Sequence, residues 1–147
     1  MRLWHKDLIP LLPTMQLKGQ WRECCLIAKA LRDNNLNHVL VNRVKEYDIS
    51  HLWAYSVMVC DEMKRRGYNV NFSRFANHIQ HVIIKPVKAS ELFDGWHNDR
   101  YLRQCLYNLE EKAMAGGILA DEWRKIYNAY GKQFDLWGDY GDKSGFD

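Results

Sequence analysis

Apolar residues recur every three or four positions along most of this chain. That spacing, rather than the two-residue alternation of a half-buried strand, limits what it can fold into. From Thr14 to Arg32 they fall at Met15, Leu17, Trp21, Cys24, Ile27, Ala28 and Leu31, which is one stripe of a helix. Thr14 is a cap for its start, and Asp33-Asn34-Asn35 ends it with residues that favour turns. Ser50 caps a second helix whose stripe is Leu52, Tyr55, Val59 and Met63, with Ile49 as a staple. Lys64-Arg65-Arg66-Gly67 closes it, with cations at the negative end of the dipole and glycine at the left-handed position. Asp99 opens a third helix with Tyr101, Leu102, Cys105, Leu106 and Leu109 on one face, stopped by Gly116-Gly117. A fourth begins near Ala120 or Asp121, places Trp123, Ile126, Tyr127 and Tyr130 on one face, and ends at Gly131.

Two stretches are ambiguous at this level. Residues 38–49 open with the β-rich His38-Val39-Leu40-Val41, while Val44 and Tyr47 suit a helical turn. Residues 67–97 hold one short helix, Ser73 to Ile84, between loops marked by Gly67 and Pro86; Val82-Ile83-Ile84 reads alternatively as a lone strand. The expectation is one compact all-α domain over residues 1–147, with residues 133–147 as a loosely held, glycine-rich tail. A chain of 147 residues with 47% hydrophobic side chains buries enough surface to fold without disulfides or metals.

Composition excludes several classes. No window approaches the ~20 apolar residues of a membrane span, and the charged start Met1-Arg2-Leu3-Trp4-His5-Lys6-Asp7 is not a secretory signal. Cys24, Cys25, Cys60 and Cys105 show no framework spacing and read as reduced core thiols, so a cytoplasmic protein is expected. The net charge is +3, but residues 1–75 carry twelve Lys/Arg against seven Asp/Glu, whereas residues 76–147 carry nine against eleven. That asymmetry is compatible with a basic face for a polyanion, or with nothing more than an uneven solvated surface.

No phosphate loop, nucleophile elbow or His-Glu-x-x-His helix is present. His78 and His81 lie three apart, without further ligands spaced to complete a zinc site. Glu23 sits at the edge of an apolar stripe beside Arg22, where a carboxylate is either ion-paired or tuned for proton transfer. Trp123, Arg124, Lys125, Tyr127, Tyr130 and Lys132 interleave aromatics with cations. Such a helix either stacks on bases and meets phosphates or simply buries its aromatic stripe, and periodicity favours burial.

Three segments in order carry a resemblance. Gln16-Leu17-Lys18-Gly19-Gln20-Trp21-Arg22-Glu23 resembles the first helix of the phage endonuclease V type of pyrimidine-dimer DNA glycosylase, which has His-Leu-x-x-x-(aromatic)-Arg-Glu near its start. Met63-Lys64-Arg65-Arg66-Gly67-Tyr68-Asn69-Val70 is similar to that family's Leu-Lys-Arg-Gly-Phe-Asn-Ile. Trp123-Arg124-Lys125-Ile126-Tyr127-Asn128-Ala129-Tyr130-Gly131-Lys132 is similar to its Trp-Tyr-Lys-Tyr-Tyr-Gly-Lys.

The resemblance implies an all-α endonuclease V-type fold and a cofactor-free, metal-free glycosylase and abasic-site lyase. It would act as a monomer on damaged double-stranded DNA through an imine formed by the N-terminal α-amine. Aligned this way, Met1 supplies the amine, Glu23 the acid/base and electrostatic group, and Arg2 and Arg22 the phosphate contacts. Trp123, Tyr127, Tyr130 and Lys132 line the lesion side. An α-amine has an ordinary pKa near 8, about two units below lysine, so more of it is neutral at pH 7. Gln16 stands where the family carries histidine, and Leu26 where it carries a phosphate-gripping arginine. His5, Lys6, Arg43 and Lys45 are the cations considered in place of that arginine. These departures leave two alternatives open: the same chemistry on another modified base or abasic site, and a non-catalytic helical DNA-binding module.

Overall fold

The computed structural model describes residues 2–138, and among them there is no strand. A 3-10 helix over Lys6–Leu11 precedes six α-helices: α1 (Thr14–Arg32), α2 (Val39–Lys45), α3 (Ile49–Arg65), α4 (Ser73–Ala76), α5 (Asp99–Met114) and α6 (Ala120–Tyr130). The helix periods in the sequence are thus realised at all four strong stripes. The ambiguous 38–49 stretch resolves as helix α2, with Val41 and Val44 turned into the core. The expected Ser73–Ile84 helix is only α4 and a 3-10 turn over Asn77–Ile79, since just Phe75 and Ile79 find a core to enter.

Caps differ from expectation for specific reasons. Thr14 is the first helical residue, not the cap: its N–H donates to Glu122 of α6 at 2.7 Å, so a distant carboxylate satisfies the start of α1. Asp48, not Ser50, caps α3 by accepting from the Ser50 N–H at 2.9 Å. The freed Ser50 hydroxyl, 1% exposed, instead accepts the Lys85 N–H. Asn34 takes φ +53 at the end of α1, a conformation its short polar side chain tolerates.

Helices α1 and α3 form the central pair. Their stripes (Leu17, Trp21, Cys24, Ile27 and Ala28 against Leu52, Tyr55, Val59 and Met63) share one core with Leu102, Cys105, Leu106 and Leu109 of α5. All four cysteines are free thiols, and burial pushes Cys24 up to about 12. At the end of α3, Glu62 is 7% exposed and held by Arg65 and Arg66, with Arg66 also donating to the Leu12 and Pro10 carbonyls.

The segment after α6 is better held than its composition implies. The Trp123 indole N–H donates to the Trp137 carbonyl at 2.8 Å, the Trp137 N–H donates to Glu110, and the Leu136 N–H donates to the Gly131 carbonyl. Residues 133–138 are therefore tied to α5 and α6, and the rest of the expected tail, 139–147, lies outside the described residues. Tyr127 packs over this return, because Gly131 and Gly138 leave room for its ring. A Cβ on Gly131 would stand 2.6 Å from the Tyr127 carbonyl oxygen and overlap the ring itself. Gly131→Ala is accordingly expected to destabilise the fold by about 1–3 kcal/mol in urea melts, despite alanine's better helix propensity. Unchanged or raised stability would contradict this packing.

Candidate active site

The chain start is threaded through the interior. Leu3, Trp4, His5 and Lys6 are all buried, although Arg2–His5 has no regular structure. Buried backbone groups need partners, and side chains from three helices supply them. Gln20 of α1, 2% exposed, accepts the Trp4 N–H through Oε1 at 2.6 Å and donates from Nε2 to the Arg2 carbonyl at 2.9 Å. The buried Tyr55 hydroxyl of α3 lies 2.6 Å from the Trp4 carbonyl and 2.8 Å from Gln20 Oε1, one donor between two acceptors. From α5, the Tyr101 hydroxyl donates to the Leu3 carbonyl at 2.6 Å.

A second segment straps over the same arm. The Lys6 N–H donates to His97 Nδ1 at 3.0 Å, and the Lys6 ammonium donates to the Ala89 and Leu92 carbonyls at 2.7 and 2.9 Å. His97 stacks on His5 with ring centroids 5.2 Å apart and packs among Phe93, Trp96 and Tyr101. Burial, then the neighbouring His5 and Lys6, hold His97 down to about 2, so the ring is neutral and its Nδ1 accepts. Phe93, fully buried at φ +50, is a left-handed residue without glycine's freedom. Its N–H donates to His51 Nδ1 at 2.9 Å and its ring is enclosed by Tyr47, Tyr55 and Trp96, which hold that conformation in place.

Gln16, Gln20 and Glu23 fall at i, i+4 and i+7 of α1 and share one side of it. Gln20 is engaged at both ends of its amide by the arm. Its two neighbours are not: Gln16 Oε1 and Glu23 Oε2 are sealed from solvent and find no donor among the described residues. The ion pair that would explain Glu23 structurally is absent among the described residues, and Arg22, one position earlier, is exposed. Two orphaned acceptors therefore flank the point where the chain start is pinned. Met1 itself lies outside the described residues; Arg2, to which it is bonded, is held there by its carbonyl.

The remaining sequence candidates separate. Arg2 turns toward α5, donating to Asn108 Oδ1 at 3.2 Å with its guanidinium 4.9 Å from the Trp4 ring. Arg22 lies on another side of α1, lining a cleft of about 410 Å³ with Trp21, Cys25, Leu26, Arg74 and His78. Arg74 of α4 carries no signal for this cleft in the sequence, because only the fold brings it to α1. Of the cations considered for the place of Leu26, Lys6 is 9% exposed and committed to two carbonyls, His5 is 2% exposed, and Arg43 is paired with Glu46.

The placement of Trp123 on a lesion-facing surface is corrected. It is 1% exposed, and its indole N–H is spent on the Trp137 carbonyl, so no face is open to a base. The periodicity reading, a buried stripe, was the right one for this residue. Tyr127 and Tyr130 are half-buried and Lys132 is exposed. Burial, with Asp7 of the 3-10 helix adding to it, raises the Tyr130 phenol. The end of α6 thus borders the segment that follows the arm. Among the described residues no three His, Cys, Asp or Glu side chains gather as metal ligands, and His78 Nδ1 lies 2.9 Å from Arg32. No described helix is long and apolar enough to cross a membrane.

The arm is pinned at Arg2 by Gln20 of α1, on whose side of the helix Glu23 Oε2 lacks a donor among the described residues, and sequence comparison gives the family. The profile of the pyrimidine dimer DNA glycosylase family matches residues 1–76, which span the arm, α1 and the Arg22–Arg74 cleft. The chain belongs to that family. No curated protein and no solved structure matches it. The likeness of residues 123–132 to the family's C-terminal motif lies beyond the matched region.

Three histidines drawn wholly or partly out of water set an expected pH dependence. His5, His51 and His97 are all lowered, first of all by burial, so below pH 6.5 the unfolded chain takes up protons that the folded one refuses. Stability is complete above the unfolded value and is lost as pH falls through it. His97 alone contributes a loss of about 2 kcal/mol between roughly pH 7 and 5. Urea unfolding at the two pH values checks this, and equal stability would contradict a neutral, buried His97.

Proposed function

We propose that the chain is a glycosylase for pyrimidine dimers in duplex DNA that works through the α-amine of Met1, with Glu23 as the acid/base group. The observation that carries this reading is a pair of solvent-sealed acceptors, Gln16 Oε1 and Glu23 Oε2, that have no partner among the described residues. They lie on either side of the residue that holds Arg2. A carboxylate oxygen kept dry and unpaired is costly in a resting fold. It becomes useful when a cation develops beside it, as on a sugar losing its base.

The α-amine attacks C1′ of the damaged nucleotide as the N-glycosidic bond breaks, and the base leaves with the bond pair. Loss of the amine proton and opening of the sugar give the imine, and Glu23 moves the protons and offsets the cationic charge. Abstraction of a C2′ proton then expels the 3′ phosphate by elimination, the lyase step. Gln16 carries no titratable proton, so Glu23 is left as the base for that step. Arg22 and Arg74 meet the phosphates along their cleft, Arg2 holds the arm from the α5 side, and Tyr127 and Tyr130 of α6, with Lys132 just after it, border the DNA.

Borohydride is expected to trap a covalent complex with dimer-containing or abasic duplex, and the linkage should map to Met1. A linkage to lysine, or none, would overturn the nucleophile. Glu23→Gln preserves shape while removing charge and proton transfer. Single-turnover cleavage should fall by ~10²-fold or more with DNA affinity nearly unchanged. A near-parental rate would move the protein to the binding-module reading. Log K for DNA should fall linearly with log salt at a slope of about −0.9 per phosphate contact, and Arg22→Ala and Lys132→Ala should each flatten it by about one contact. A flat salt dependence would argue against a phosphate-gripping face.

A further inference from the structure

The amine proposed above stands on an arm with no secondary structure of its own, so something must aim it. We infer that Gln20 is the positioning residue for the reaction: its carboxamide bridges two backbone groups of the arm and fixes the attacking amine relative to Glu23. This rests on the Met1 reading. Gln20 is 2% exposed and both ends of its amide engage the arm, Nε2 at the Arg2 carbonyl and Oε1 at the Trp4 N–H, with the Tyr55 hydroxyl 2.8 Å from the same Oε1. An amide that bonds residues n and n+2 of an irregular segment sets its direction as well as its depth. Gln20 and Glu23 lie three residues apart on one rigid helix, so the same bonds set the register of the arm against the carboxylate.

The Tyr55 and Tyr101 hydroxyls complete the clamp by holding the carbonyls of Trp4 and Leu3. Gln20 is 2% exposed and engaged at both ends of its amide, so it acts through the arm. It holds the residue that follows the one bearing the nucleophile, and a displacement of about 1 Å at the amine is enough to cost ~10²-fold in rate.

Gln20→Met keeps the length and helix preference of the side chain while removing its two hydrogen bonds to the arm, together with that from the Tyr55 hydroxyl. The test is single-turnover borohydride trapping on an abasic-site duplex by the parent and by this variant, with rate constant, amplitude and duplex affinity measured together. The expected result is a rate constant reduced by about 100-fold, with near-full amplitude, linkage still at Met1 and affinity within about threefold of the parent. A role in stability alone would lower the amplitude, the active fraction, and leave the rate constant where it was; that result overturns the positioning role while leaving the Met1 mechanism standing. If Gln20→Met fails to fold, Tyr101→Phe removes one arm bond with minimal change in volume. It is expected to slow trapping about tenfold at full amplitude, and a parental rate constant there counts against the clamp. Absence of trapping at Met1 in the parent overturns the underlying mechanism, and this inference with it.

Discussion

The structure depends on one buried amide. A chain start of five or six residues, without helix or strand, has a peptide group at every step that must be satisfied once it leaves water. Gln20 satisfies two of them from the middle of α1, and around it Tyr55, Tyr101 and His97 take most of the others. With those partners in place Leu3 and Leu8 enter the core completely, and α1, α3 and α5 share a common polar seam beneath their apolar stripes. Removing one partner leaves a dry donor or acceptor behind, which costs about 1–3 kcal/mol, more than a typical exposed hydrogen bond contributes.

That clamp also separates the two jobs of the surface. The interior side of α1 holds the arm and the unpaired oxygens of Gln16 and Glu23, while about 100° further round the helix Arg22 opens to solvent with Arg74. Cations that sequence alone makes look interchangeable are not. Lys6 is structural, capping the carbonyls of the 89–92 turn, and Arg43 lies over Trp96 while pairing with Glu46. The excess positive charge in the first half of the chain therefore overstates what is free to meet a phosphate.

Helix identity and most of the core were legible from spacing, because burial of an apolar stripe is a local property read at periods of three and four. The stripes of α1, α3, α5 and α6 came through in this way, as did Trp123, whose burial periodicity favours over the DNA-facing role taken from the family motif. Glu23 was legible as a carboxylate at the edge of a stripe. The clamp was not. Gln20 reads as one more polar residue in a helix, since its partners in the arm are sixteen and eighteen residues away and are backbone atoms, which leave no trace in composition. The same holds for Glu122 capping α1 from α6, for His97 under Lys6, and for Arg74 reaching the Arg22 cleft. Each is a long-range pairing created by the fold.

The central claim is that the chain start is part of the interior and fixed there by side chains. The amide protons of Trp4 and Lys6, which donate to Gln20 and His97, report on it directly. Native-state hydrogen exchange followed residue by residue should show both amides exchanging as slowly as those in the middle of α3, through global unfolding alone. Exchange of Trp4 and Lys6 within seconds, at the rate of a fraying terminus, would contradict the account.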